Sequence, residues 1–308
     1  MSVLLGYMIV IMIWSTTPLA IKWSGEGSGF LFGVSSRMLI GLTVCLIIMA
    51  VQGKTLPLYR RAIRTYLAGA LAVYAAMLSV YWGAQYIPSG LVSVVFGLTP
   101  IFTGLFAALW LAERAVTPLR IAGLLLSIAG LIVIFDVGLN LGSNSAFGIG
   151  GVLMGVIFHS LSTVWVKRIA SNLSALSMAT GSLAISAPLF VLTWWLFDGV
   201  LPAEIPQRTL LSITYLGIVG SVIGYLMFFY VLKHSRATQV GLIPLITPVL
   251  ALFIGHHLNA EVITLNVWAG TMLVILGLAV FQWGSVLLRR LRAMRQPPEA
   301  VEVEFEEA

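Results

Sequence analysis

The residues of this sequence that could do chemistry are few, and they lie inside apolar runs. His159 is the most informative. It falls about eleven residues into the run 148–167, roughly 16 Å along a helix at about 1.5 Å per residue, which is near the middle of a bilayer's hydrocarbon core. An ionisable side chain at that depth faces a cavity or a protein partner rather than lipid. It fits two roles: a hydrogen-bonding or protonatable wall of a solute cavity, or a neutral histidine bonded to a neighbouring helix. Around the same depth lie Trp14, Thr17, Tyr74, Tyr81, Ser93, Phe96, Ser162, Trp165 and Tyr225. Aromatic rings stack on planar groups or cations, and hydroxyls fix polar groups, so these ten residues are the candidate substrate-binding set. Aromatics at such positions also fill helix interfaces and form membrane belts. Tyr74 and Tyr81 are seven apart and share one helix face. Trp194, Trp195 and Trp283 sit nearer the ends of their runs, where interfacial anchoring is the better reading.

Arg37, about seven residues into its run, could meet a substrate carboxylate, but its placement favours a structural pairing or snorkelling towards the outer surface. The paired positions Glu113 and Glu261 sit at run ends, where capping or gating contacts suit them better than proton transfer. What is missing narrows the chemistry further. No run carries a central Asp or Glu, so the carboxylate relay of many proton antiporters has no residues here. With Arg37 as the single cation inside a run, phosphorylated substrates are disfavoured. No GxxxxGK[ST] loop supplies ATP binding. Neither a CxxC nor a His/Cys cluster points to a metal, and the lone Cys45 reads as a small buried hydrophobe. No cofactor is expected.

The elements that must position these residues follow from composition. Of 308 residues 59% are hydrophobic and 9% are charged, against about 25% charged in an ordinary soluble domain. The bilayer is the consistent solvent. Apolar runs between polar punctuation predict ten spans at 3–23, 30–51, 66–86, 89–111, 119–137, 148–167, 176–197, 209–232, 238–258 and 265–288. Between the third and fourth, Ile87–Pro88–Ser89–Gly90 favours a turn, with a kinked continuous helix as the alternative. The first run lacks a basic leader and is long for a signal peptide.

The net charge of +6 belongs to membrane topology rather than to nucleic acid. With the N-terminus inside, fourteen of the 17 basic residues fall in inside connections: Lys54, Arg60, Arg61 and Arg64; Arg114 and Arg120; Lys167 and Arg168; Lys233 and Arg236; and Arg289, Arg290, Arg292 and Arg295. Lys22 and Arg208 are the exceptions, while Glu26, Asp136, Asp198, Glu204 and Glu261 fall outside. By the positive-inside rule both termini are cytoplasmic. The segment 291–308, with Pro297–Pro298 and five glutamates, reads as a disordered solvated tail.

The two halves echo each other. GYMIVIMIWSTTPLAIK from Gly6 aligns with GVLMGVIFHSLSTVWVK from Gly151 at an offset of 145, pairing Trp14 with His159, Ser15 with Ser160 and Lys22 with Lys167. GLTPIF around Pro100 matches LITPVL around Pro248, and Glu113 matches Glu261, at an offset of 148. Gly123 and Gly130 match Gly270 and Gly277 one residue further out of step. Five spans per half is an odd number, so the second half (146–290) would insert upside down relative to the first (1–145), an architecture of secondary transporters with the solute site at the midplane. Pro18, Pro100, Pro188, Pro244 and Pro248 fall inside spans, and the Pro100/Pro248 pair marks plausible bending points. Gly151 and Gly155 form a GxxxG suited to close helix packing.

These residues carry a resemblance. WSTTPLAIK (14–22), Arg37 early in the second span, YIPSGLVSVVFGLTPIFTGLFAALWLAER (86–114), the Gly123–Gly130 spacing and TQVGLIPLITPVLALFIGHHLNAE (238–261) resemble the EamA branch of the drug/metabolite transporter superfamily, over essentially residues 3–288. Within it the chain is most similar to YddG-type aromatic amino-acid exporters. It departs at Thr16–Thr17–Pro18, where many members carry a small residue, Asn and an aromatic. The resemblance implies an all-α polytopic membrane protein of ten transmembrane helices in two inverted five-helix repeats, working by alternating access. The expected function is export of small neutral or zwitterionic metabolites across a bacterial inner membrane, amino acids foremost, with a broad-specificity drug exporter as the alternative. Neither enzyme activity nor nucleic-acid binding is expected. A small-molecule substrate and membrane lipid are the partners, and the chain is expected to act as a monomer.

Overall fold

Residues with too few charges to coat a water-facing surface must satisfy their backbone inside helices if lipid surrounds them. A computed structural model of the chain, which describes residues 2–111, 118–138, 144–235 and 243–295, is helical throughout with no strand among the described residues. The helices are α1 (Val3–Ser24), α2 (Phe30–Val51), α3 (Arg60–Gly83), α4 (Ser89–Leu111), α5 (Pro118–Gly138), α6 (Ser145–Ile169), α7 (Ala175–Phe197), α8 (Gln207–His234), α9 (Ile243–Asn259) and α10 (Leu265–Arg295). Among the described residues seven of these, α1–α4 and α6–α8, are long and apolar enough to cross a membrane. Large apolar side chains such as Leu4, Met12, Ile47, Leu125, Leu192 and Phe197 are exposed on the outside of the bundle, as a lipid-facing surface requires. Glu113, Arg114, Arg236 and the acidic tail from Glu299 lie outside the described residues, as does the side chain of Asp136.

Local chemistry sets the ends. Ser2 and Ser174 cap α1 and α7 by accepting from the N–H groups of Leu5 and Ser177. The Ile87–Pro88 link is a turn, with α3 ending at Gly83 and α4 starting after Pro88. The third span, expected from residue 66, begins at Arg60 instead. Its first turns are amphipathic, and the Arg61 guanidinium donates to the Ile169 carbonyl at 2.9 and 2.7 Å, closing the C-terminal end of α6. Residues read as a basic loop are therefore helix surface. Two helices loosen in mid-course into π turns, at Leu71–Ala76 in α3 and Leu216–Ile223 in α8. In α4 the helix breaks at Gly97–Leu98, just ahead of Thr99–Pro100.

The packing partners obey an exchange rule. α1 lies against α8 and α9, and α6 against α3 and α4; α2 packs on α8 as α7 packs on α3; and α2–α7, α4–α9 and α5–α10 pair with one another. Lipid gives helices no hydrophobic reason to associate, so close van der Waals contact through small residues must hold them. In the α5–α10 pair, a Cβ on Gly123 would come within 2.5 Å of the Gly277 carbonyl, and one on Gly130 within 2.6 Å of the Gly270 carbonyl. Gly151 and Gly155 do the same on α6 against Trp82 and Val80 of α3. Cys45 is fully buried in α2, as expected.

A side chain at Gly277 has nowhere to go but into the α5 backbone. Gly277→Leu should lower stability by about 1–3 kcal/mol or more, read as a fall in melting temperature of the detergent-solubilised protein. The same change at Gly150, beside which nothing lies within 4 Å, should leave it nearly unmoved.

Candidate functional site

Seven helices surround one small cavity at the middle of the bundle. On α1, Pro18 lacks the N–H that would close the turn to the Trp14 carbonyl. The hydroxyls just before it, Ser15, Thr16 and Thr17, turn back to donate to Ile11, Ile13 and Ile13 carbonyls at 2.7, 2.9 and 2.7 Å, a pattern that bends helices. The π turns of α3 and α8 widen those helices at the same level, as such turns often do at functional sites. The space is about 70 Å³, enough to hold water. Its walls come from Trp14 and Thr17 on α1, Arg37 on α2, Val80 on α3, Ser93 and Phe96 on α4, His159 on α6, Gly220 and Tyr225 on α8, and Thr247 on α9.

One wall is aromatic. The His159 ring meets Trp14 edge-on at 5.6 Å, Phe96 at 5.5 Å and Phe228 at 5.3 Å, and Trp14 lies against Phe228 at 5.5 Å. His159 is 6% exposed, and among the described residues no group bonds its ring nitrogens; its carbonyl accepts from Thr163 at 2.9 Å. The opposite chemistry belongs to Arg37, 2% exposed. Its Nε donates to Ser221 Oγ at 3.0 Å, its Nη1 to Tyr81 Oη at 3.3 Å, and the guanidinium lies 5.9 Å from the Tyr81 ring centroid. The Tyr225 hydroxyl, also buried, has no partner among the described residues.

Of the candidate residues, Trp14, Thr17, Ser93, Phe96, His159 and Tyr225 line this one cavity. Tyr81 stands behind it, holding Arg37. The other three face elsewhere. Tyr74 shares a 2.6 Å hydrogen bond with Thr193 and packs on Phe190, Ser162 donates to the Ala68 carbonyl at 2.6 Å, and Trp165 is 37% exposed on the bundle surface. Thr247, Gly220 and Val80 join the lining with no sequence signal of their own. Arg37, read from the sequence as a structural cation, joins it too, and being the one basic residue inside a run was the signal.

Above the cavity, a polar cluster ties α1, α4 and α9 together. Glu261 accepts from the Ser89 and Gly90 N–H groups at 2.9 and 3.2 Å, at the N-terminus of α4 where a carboxylate is favoured. Asn259 donates to Glu261 at 3.1 Å and accepts from Trp23 Nε1 at 2.9 Å, and Lys22 Nζ donates to the Ile87 carbonyl at 2.9 Å. At the other end of the bundle Lys167 Nζ donates to the Ser235 carbonyl at 2.8 Å. At the surface, Arg208 pairs with Glu26.

The EamA-like transporter family model matches residues 1–136 and 146–283. The uncharacterized transporter YoaV of Bacillus subtilis is 25% identical over 279 residues, spanning 90% of this chain and 95% of its own. An uncharacterized transporter of Archaeoglobus fulgidus is 27% identical over 273 residues, 88% of this chain and 95% of its own. The uncharacterized inner membrane transporter YedA of Escherichia coli K12 is 25% identical over 278 residues, 89% of each chain. One solved crystal structure superimposes on 94% of this chain and 99% of its own with a TM-score of 0.68, at 23% identity, a likeness of fold.

Ser221→Ala would strip the Arg37 Nε of its acceptor in a place that water reaches poorly. The cost should be about 1–3 kcal/mol, measured as a lowered melting temperature, whereas Ser79→Ala, whose hydroxyl bonds its own helix at 2.8 Å, should change it little.

Proposed function

This chain belongs to the EamA-like transporter family, and we propose that it exports small neutral or zwitterionic metabolites, aromatic and other amino acids foremost, by alternating access through the central cavity. That it is a membrane transporter with a small-molecule substrate follows from the family and from its apolar helices. The observation that carries the narrower reading is the makeup of the cavity: aromatic on one side, hydroxyl-bearing on another, with a single guanidinium and no described carboxylate in its walls. Such a lining holds a planar or apolar side chain by stacking and has no partner for a lone organic cation beyond ring faces, which favours amino acids over a cationic drug. Trp14, Thr17, Ser93, Phe96, His159 and Tyr225 would contact the solute.

The cycle follows from ten spans in two inverted halves, with both termini cytoplasmic in a bacterial inner membrane. Several features support the inverted repeat. The π turns begin at Leu71 and Leu216, the same offset of 145 that pairs Trp14 with His159. Lys22 and Lys167, paired by that offset, each bond a carbonyl at the foot of a neighbouring helix, Ile87 and Ser235. The family match falls in two stretches of similar length. Either member of such a pair would close one face of the membrane, and the Lys22–Glu261–Asn259 cluster would be the outer closure.

Proteoliposomes holding the purified protein should move labelled tryptophan, phenylalanine, threonine or methionine faster than protein-free vesicles. Trp14→Ala and Phe96→Ala should cut that flux roughly tenfold, the loss of one to two kcal/mol of stacking. No flux of any of the four above background, together with efflux of toxic organic cations, would hand the function to drug export. Loss of the pH dependence of the flux that remains in His159→Ala would place proton linkage at this residue; a pH dependence that survives the change rules it out.

A further inference from the structure

Arg37 is an arginine with most of its capacity unused. A guanidinium has five N–H donors in a rigid fork. Here one donates to Ser221 and one to Tyr81, both neutral hydroxyls, and among the described residues no carboxylate or backbone carbonyl takes the rest. An arginine buried for structure alone needs its charge matched and its donors filled, because an unpaired buried ion costs several kcal/mol. Arg37 has two of its donors filled and no described carboxylate to match its charge, although it is 2% exposed. Its free edge borders the cavity, and there the buried Tyr225 hydroxyl also stands without a partner. A cation with no described counter-charge and a hydroxyl with no described partner thus line one small space.

We propose that Arg37 and Tyr225 form the anchor for the carboxylate of the transported solute, and that the site reads the carboxylate rather than the amine. This rests on the reading of the cavity as the solute path. A carboxylate matches the guanidinium fork two-to-two and can accept from Tyr225 as well. A single positive charge balances one negative charge, so a carboxylate monoanion fits where a phosphate dianion would be left half neutralised. The space of about 70 Å³ that Arg37 and Tyr225 line admits such a head group. For an ammonium the described walls offer ring faces, hydroxyls and the His159 imidazole but no carboxylate, so no counter-charge holds the amine as Arg37 would hold the acid. Thr17 already donates to the Ile13 carbonyl, so its hydroxyl can only accept.

The test compares acid–amide pairs on the whole purified protein in nanodiscs. Phenylalanine and 3-phenylpropionate are set against phenylalaninamide and 3-phenylpropionamide, with benzoate and phosphate as further probes, read by thermal stabilisation and by competition for labelled phenylalanine. Each acid should bind at least tenfold more tightly than its amide, 3-phenylpropionate should come within a few-fold of phenylalanine, and phosphate should not compete. Arg37→Gln should erase the preference for acid over amide, and Arg37→Lys should keep part of it. Because Arg37→Gln could fail to fold, Tyr225→Phe is the second variant. It removes a hydroxyl that has no partner, so it should melt no lower than the parent and yet bind the acids several-fold more weakly. Amides that bind as well as acids, acids that fail to stabilise the parent, or a Tyr225→Phe variant with unchanged affinity for the acids would each overturn the anchor. Flux separates the two claims: acid preference lost in Arg37→Gln with no amino-acid flux in the parent refutes amino-acid export and leaves the anchor standing. Amino-acid flux indifferent to Arg37 does the reverse.

Discussion

A positive charge fixed in the interior of an apolar bundle must find its oxygens within the protein, because lipid has none to offer. Much of the central architecture can be derived from that demand on Arg37. The acceptors come from helices on either side: Tyr81 of α3 supplies its hydroxyl and ring, and Ser221 of α8 its hydroxyl. Ser221 lies inside the π turn of α8, and Tyr81 lies one turn beyond the π turn of α3. Gly220 lets the guanidinium come close, since a Cβ there would stand 3.2 Å from Nη2. The helices are therefore irregular where the charge has to be solvated, and the irregularity is what opens a cavity between them.

Hydroxyls are a modest substitute for a carboxylate. They hold the guanidinium in place without neutralising it, so the site keeps a positive potential that a permanent salt bridge would cancel. Under the proposed function this arrangement has a use. A solute must be bound well enough to enter and weakly enough to leave, and a resident acid would compete with every anionic solute for the same fork. The aromatic wall of Trp14, Phe96, His159 and Phe228 lies in the same cavity region and packs ring against ring, so it gains little strength from any one contact and loses little when a solute ring slides between two others.

How far the sequence could be read turns on what a helix makes linear. Depth is linear: counting about 1.5 Å per residue from a run's end puts Trp14 and His159 at one level, and they do share a cavity. Facing is not, because these helices are apolar nearly all round and the pattern that would mark an inner stripe is flat. Tyr74 and Ser162 lie well inside their spans and turn to Thr193 and to the Ala68 carbonyl, while Trp165, near the end of its span, lies at the bundle surface. Arg37 was visible as a lone charge, yet its partners were not, since hydroxyls on distant helices leave no charge pattern to find. Loop and helix were also confused where basic residues lie on an amphipathic turn, as at Arg60–Arg64, where Arg61 serves the end of α6.

The two lysine bonds bear on how a carrier of this shape would work. Lys22 holds the Ile87 carbonyl just before α4 begins, and Lys167 holds the Ser235 carbonyl just after α8 ends. In the proposed topology these joints face opposite sides of the membrane. Both bonds are made here, and the space between them is small. A solute larger than that space can enter only when one joint is released, and releasing both would open a continuous leak. The outer joint has further holding contacts, since Glu261 grips the first N–H groups of α4 and Asn259 braces Trp23 of α1. An anchor on α2 would sit between the joints, on a helix that makes neither bond, so the solute could stay bound while either side lets go.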